Sequence, residues 1–316
     1  MTPSEPGPPT AGSEVRRSIG TRVGSRLAFA VFRLIGSLPL PWLHGLGRWL
    51  GRRRQGPARR IVECNLLLCF PSLDPAARAA MVDAALAEAG AGMLEAFRIW
   101  TRPREALALI REVRGAEHLA QARAQGRGVL VLAPHLGAWE LLNLYLAADG
   151  PGSVLYRPPG SAALDAAIVR ARGALGMKQV RADRSAPRLL LRRLAAGELV
   201  GILPDQQPKV GDGVFVPFFG VQALTMTLAP RLAQRVPTLM GWAERLPGAA
   251  GFRLHIDPMP PELADPDPTV AAAAMNAAIE QRVRTAPEQY VWTYKRFGKR
   301  PAGEPPRYTA DTRRRR

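Results

Sequence analysis

The sequence is short of the residues that staple small secreted domains or hold metals. Of 316 residues only two are cysteines, Cys64 and Cys69, which are not at C-x2-C spacing and have no histidine beside them. A zinc site is therefore disfavoured, and a reducing compartment or indifference to redox is the simplest reading. Of the four histidines, His44, His118 and His255 are scattered and give His135 no second ligand at metal spacing, so no metal is expected. No repeat with a period of 20 to 50 residues is visible. Acidic residues are few, 26 against 44 basic ones, for a net charge of +18 and a pI near 11.3. That imbalance implies an anionic partner: nucleic acid, an anionic bilayer, a phosphorylated lipid or an acidic carrier protein. Only four basic residues are lysines. Nucleic acid is not expected as a partner, because the aromatic residues sit beside apolar runs and form no stacking platform or finger motif.

With 47% apolar residues the chain can bury a full core. Residues 1–15 are Pro, Gly, Ser and Thr with little to pack, and are expected to be disordered. Residues 16–60 interleave arginine with Phe29, Phe32, Trp42 and Trp49. The longest charge-free run there, residues 34–47, has 14 residues and two prolines, short of the roughly 20 needed to span a bilayer. The pattern reads as a basic amphipathic segment lying in a membrane interface, with a basic helix docked on the protein's own core as the alternative. Spread basic residues and no small-residue cleavage pattern argue against a secretory signal.

From residue 61 to 300 the chain reads as one α/β domain. Two or three helices over 61–125, broken at Pro71-Ser-Leu-Asp-Pro75, lead into apolar strands at 128–133, 152–157 and 199–204, separated by helices at 139–148, 162–175 and 185–196. An apolar loop follows at 214–220, then a helix at 227–235, strands at 237–244 and 252–257, and a helix at 270–285. Alternating strands and helices imply a mostly parallel sheet flanked by helices, with ligands bound outside the strands' carboxyl ends. His135, Arg157 and Asp205 all fall there. The tail, residues 301–316, ends in four arginines and is expected to be disordered.

The first strand runs into Pro134-His135-Leu-Gly-Ala-Trp-Glu140. In a continuous helix, five residues would put His135 and Glu140 about 140° apart. A bend at Gly137 could bring the Glu140 carboxylate to the ring Nδ1–H, fixing the tautomer and leaving Nε2 as a general base. The residues equally admit a capping histidine beside a helix-start glutamate.

Taken together with Tyr156-Arg-Pro, Arg172-x3-Gly176, Gly197-Glu-Leu-Val-Gly-Ile-Leu-Pro-Asp205-Gln206, Phe215-Val-Pro-Phe-Phe-Gly220, Pro287-Glu-Gln-Tyr-Val-Trp-Thr-Tyr-Lys-Arg-Phe297 and Asn65-Leu-Leu-Leu-Cys-Phe-Pro71, this motif resembles the late acyltransferases of lipid A biosynthesis, within the H-x4-D/E glycerolipid-type acyltransferases. The resemblance covers residues 20 to 300. It implies an enzyme at the cytoplasmic face of the inner membrane that moves a fatty acyl chain from acyl carrier protein to a hydroxyl of a phosphorylated lipid A precursor, with no cofactor. His135 and Glu140 would be the catalytic pair, with Arg157, Arg172, Asp205 and Gln206 as substrate-binding residues: the arginines at the acceptor's phosphate or the carrier's phosphopantetheine, and Asp205 orienting an arginine or a sugar hydroxyl. The residues also admit solvated arginines at a strand or helix end and a loop carboxylate capping a turn. Two departures stand out: Ala138 replaces a frequent asparagine, and the Glu-Gly-Thr-Arg block of glycerol-phosphate acyltransferases is absent. Another glycolipid or an amino-acid lipid as acceptor, or a non-catalytic basic membrane- or nucleic-acid-binding protein, are the competing readings.

Overall fold

The structure is a computed structural model that describes residues 11–308, with side chains from residue 24. Residues 1–10 of the unpacked tract expected at the N-terminus, and residues 309–316 of the basic tail, lie outside the described residues.

Four helices come first: α1 (Ala11–Gly36), α2 (Leu40–Arg52), α3 (Pro57–Cys69) and α4 (Pro75–Thr101). The break expected at residues 71–75 starts α4: Pro75 takes the first helical position and the Asp74 side chain accepts from the Ala77 amide at 2.8 Å. The short α5 (Pro103–Leu107), β1 (Ile110–Arg114) and α6 (Ala116–Ala124) lead to β2 (Val129–Leu132), α7 (Trp139–Ala148), β3 (Gly152–Tyr156), α8 (Ala162–Arg172), β4 (Lys178–Arg181), α9 (Ala186–Ala195) and β5 (Leu199–Ile202). A hairpin follows, β6 (Gly213–Phe218) with β7 (Val221–Met226), then α10 (Leu228–Ala233), β8 (Thr238–Arg245), β9 (Phe252–Pro258) and α11 (Pro268–Thr285).

The main sheet has the order β1-β9-β8-β2-β5-β3-β4. Its pairings are parallel except for β8 with β9, which run antiparallel. The α/β class with a mostly parallel sheet therefore stands. Every residue of β2 is buried. Leu130 and Leu132 face a core built with α3, α9, α10 and α11, while Val129 and Val131 face one built with α6 and α7. That two-sided burial explains why β2, like β5, shows no polar alternation.

Three expectations need correction. The strands β1 and β4 were not foreseen, because Ile-Arg-Glu-Val-Arg and Lys-Gln-Val-Arg are edge strands, which are half-exposed and carry charge. The apolar stretch at 214–220 is not a loop but the first strand and the turn of a hairpin, which reverses at Phe219 and Gly220, both at positive φ. Residues 301–308 are not loose: Tyr308 is buried, and its hydroxyl donates to Asn65 Oδ1 at 2.6 Å.

The N-terminal helices settle part of the question left open above. Along α2, Leu40, Leu43, His44, Gly47 and Gly51 are buried, so one face is docked on the protein's own core. The approach to α4 is backbone to backbone: a Cβ on Gly90 would lie 2.0 Å from the Gly47 carbonyl oxygen. The other face leaves Trp42 and Trp49 exposed, at 70% and 49%, with Leu46 and Leu50. Among the described residues no single helix is long and apolar enough to cross a membrane, although α1 and α2, bent by 106°, pass that test as a pair.

Candidate active site

In the parallel register of β2 and β5, Leu132 lies opposite Ile202. His135 and Asp205 each follow three residues later, each behind a proline, so the two side chains arrive at the same place. The Asp205 carboxylate spans two donors of one residue: the ring Nδ1 of His135 at 2.8 Å and its backbone N–H at 2.9 Å. Burial works to raise the Asp205 carboxyl, but the His135 ring and these hydrogen bonds outweigh it and hold the group below its ordinary value. An ionised carboxylate at Nδ1 requires the Nδ1–H tautomer, which leaves the Nε2 lone pair free. The Gln206 amide nitrogen lies 3.2 Å from Nε2 and donates to it. Trp139 packs against the ring, with centroids 5.1 Å apart.

The turn after His135 bends at Gly137, as expected, with φ of 60°. The carboxylate that reaches Nδ1, however, is Asp205 and not Glu140. Glu140, buried in the first turn of α7, points to a different pair of donors. Arg172 grips it with Nε, 3.1 and 3.0 Å from the two oxygens, and with Nη2, while Trp100 Nε1 donates from 2.8 Å. Burial would raise the Glu140 carboxyl, but the Arg172 guanidinium more than offsets it and the net shift is downward.

Two assignments change as a result. Asp205, expected to orient an arginine or a sugar hydroxyl, is taken up by His135. Arg172, expected to clamp a phosphate, has its fork committed to Glu140. Arg157 is exposed at the rim of the cavity described next, and among the described residues no carboxylate pairs with it.

The His135 turn is held from three sides by residues whose roles were not legible. The His135 carbonyl accepts from the Val291 amide at 3.0 Å, and the Gly137 amide donates to Gln289 O at 3.0 Å. Arg245 Nη2 donates to the Gly137 carbonyl at 2.9 Å. Asn65 Nδ2 fastens the clamping segment by donating to the carbonyls of Trp292 and Tyr294, at 2.7 and 2.8 Å. Arg245 is itself buried against Glu95 at 2.7 Å, and Glu95 takes His44 Nε2 of α2 at 2.7 Å. A continuous path of charged hydrogen bonds thus runs from α2 to the histidine turn. Replacing Arg245 by Leu strands Glu95 in the core, and a loss of about 3–5 kcal/mol is expected in equilibrium urea unfolding. A change within about 1 kcal/mol would show that the path does not support the turn.

A cavity of about 630 Å³ opens on this centre. Its walls bring His135, Glu140 and Gln206 together with the apolar Leu146, Val154 and Phe97. An apolar chamber ending at an oriented imidazole suits a long apolar substrate whose reacting atoms stop at Nε2. Among the described residues no three His, Cys, Asp or Glu side chains cluster as a metal would need.

Fold and site together define an α/β enzyme with a histidine–carboxylate centre at the end of an apolar chamber. A family model described as bacterial lipid A biosynthesis acyltransferase matches residues 14–299. The lipid A biosynthesis lauroyltransferase of Escherichia coli (strain K12) is 34% identical over 293 residues, covering 89% of this chain and 94% of that protein. The palmitoleoyltransferase of the same strain is 31% identical over 277 residues, with 84% and 88% covered. Its myristoyltransferase is 28% identical over 268 residues, with 84% and 82% covered. The chain belongs to the bacterial lipid A biosynthesis acyltransferase family and is an acyltransferase.

Proposed function

We propose that the protein transfers a fatty acyl chain from the thioester of acyl carrier protein to a hydroxyl of a phosphorylated lipid A precursor at the cytoplasmic face of the inner membrane. The observation that carries this reading is the apolar chamber ending at the His135 Nε2 lone pair. With the acyl chain in the chamber, the acceptor hydroxyl takes the place of the Gln206 amide at Nε2. His135 removes the hydroxyl proton as oxygen attacks the thioester carbonyl, and the imidazolium returns that proton to the departing thiolate. Asp205 holds the ring and stabilises its charged form, and the Glu140 carboxylate adds negative charge nearby. Proton and acyl group balance with no further co-reactant. Basic surface such as Arg157 suits an acidic carrier protein.

The test is a reconstituted assay in which purified protein, acyl-loaded carrier protein and candidate acceptors are combined and the products are read by mass spectrometry. Ester formation on a phosphorylated lipid A precursor is expected. Transfer only to another glycolipid or to an amino-acid lipid would replace the acceptor, and no transfer to any acceptor would leave the basic membrane-binding reading.

Membrane residence is part of the proposal. The exposed Trp42 and Trp49 of α2, with Arg53 4.1 Å over the Trp49 ring, match the composition of a headgroup boundary. Trp42→Ala/Trp49→Ala is expected to weaken co-flotation with phosphatidylglycerol vesicles about tenfold or more, since each indole removes on the order of 1.5–3 kcal/mol of apolar burial. Unchanged flotation would move the membrane contact elsewhere.

A further inference from the structure

With Arg172 committed to Glu140, Arg157 is, among the described residues, the cation left without a carboxylate partner at the chamber, and a second hollow holds further candidates for the acceptor's phosphate. It has a volume of about 330 Å³ and is lined by Arg33 from the last turn of α1, Thr101 and Arg102 at the end of α4, Arg104 of α5, and Ala174 and Leu175 after α8. Its charges do not cancel. Glu105 spends one oxygen on Arg102 at 2.8 Å and the other on Arg98 at 2.9 Å. Among the described residues neither Arg33 nor Arg104 has a carboxylate partner, and both are exposed. Three guanidiniums, those of Arg33, Arg102 and Arg104, thus line a hollow whose lining holds one carboxylate, Glu105, an arrangement that favours a multiply charged oxyanion with several acceptor oxygens.

Two placements say what kind of molecule carries that anion. Leu34, which follows Arg33 in α1, and Leu38, just beyond the helix, are exposed apolar residues close in the chain to a lining arginine, which fits an amphiphile rather than a free ion. The hollow also adjoins the acyl chamber: Trp100 and Arg172 line the chamber, while Thr101, next to Trp100 in the chain, and Ala174, two residues beyond Arg172, line the hollow. A lipid that presents a hydroxyl to His135 can place a phosphate on the other side of that wall. We propose that Arg33, Arg102 and Arg104 form the subsite for a phosphate group of the amphiphilic acceptor, remote from the hydroxyl that is acylated. This inference rests on the acceptor reading given above.

The test uses the full-length double variant Arg33→Gln/Arg104→Gln, whose altered side chains are exposed and support no core. Saturation curves are measured for acyl-loaded carrier protein, for the phosphorylated precursor and for the same precursor after phosphatase treatment. The acceptor KM is expected to rise about tenfold or more, the usual scale for losing charge-assisted hydrogen bonds. The carrier-protein KM is expected to hold, and the two enzymes should handle the dephosphorylated acceptor alike. An unchanged KM for the phosphorylated acceptor, or an equal rise on the dephosphorylated one, overturns the subsite. Loss of binding to phosphatidylglycerol relative to phosphatidylcholine vesicles, with acceptor KM unchanged, also overturns it and assigns the hollow to bulk lipid headgroups. A wild type that acylates no phosphorylated glycolipid fails the functional reading itself, and the subsite with it. An active wild type whose KM ignores the variant sinks the subsite alone.

Discussion

Asp205→Asn is expected to lose acyl transfer almost as fully as His135→Ala, by about 10²- to 10⁴-fold, while the protein stays folded. The carboxylate accepts from two donors at once, the His135 backbone N–H and its ring Nδ1–H. An asparagine of the same shape has one oxygen and one NH2, so it satisfies one donor and opposes the other. If the oxygen stays on the backbone amide, the NH2 faces Nδ1 and favours the tautomer with its proton on Nε2. That tautomer presents a donor where the acceptor hydroxyl needs a base. The measurement is the initial rate of ester formation for wild type, His135→Ala and Asp205→Asn, with far-ultraviolet circular dichroism as the control on folding. Near-normal turnover by a folded Asp205→Asn enzyme would show that the carboxylate does not set the tautomer.

This pairing was half visible in the sequence. Leu132-Ala-Pro-His135 and Ile202-Leu-Pro-Asp205 are the same construction, a buried strand, one apolar residue, a proline and a polar side chain. Two-sided burial identified both strands, and the α/β alternation placed both carboxyl ends on one edge. The missing link was adjacency and register. That β5 neighbours β2 with Leu132 opposite Ile202 is a tertiary fact, and without it the carboxylate five residues along the chain was the natural partner for His135.

Other features were hidden for different physical reasons. Arg245 ends a strand that reads correctly from its apolar pattern, but its partners Glu95 and the Gly137 carbonyl lie 150 and 108 residues away. Long-range ion pairs leave no periodicity to read. The segments containing Asn65 and Gln289 were noticed only as part of a resemblance. Their physical content is that Asn65 fastens the segment that in turn holds the His135 turn by its backbone. The basic character of residues 16–60 was plain, whereas the division of α2 into a face buried on α4 and a face left open depends on glycine contacts that composition cannot reveal.

Glu140→Ala is expected to damage both stability and activity, and a second substitution separates the two effects. Removing the carboxylate leaves the Arg172 guanidinium against Trp100 and the apolar chamber without its ion partner. Breaking a buried pair in this way costs about 3–5 kcal/mol, and the lower figure is the better guide here because Arg172 keeps some solvent contact. Replacing the arginine as well, in Glu140→Ala/Arg172→Leu, removes the orphaned charge, so much of the lost stability should return in urea unfolding. Activity is expected to stay low, by about 10²-fold or more, because the negative charge that favours the His135 imidazolium is still missing. Glu140→Gln offers an independent check, since it keeps the side chain's size and an oxygen for Trp100 while removing the charge. Should the double variant regain activity together with stability, Glu140 would be only an anchor for Arg172, and the chemistry would rest on His135 and Asp205 alone.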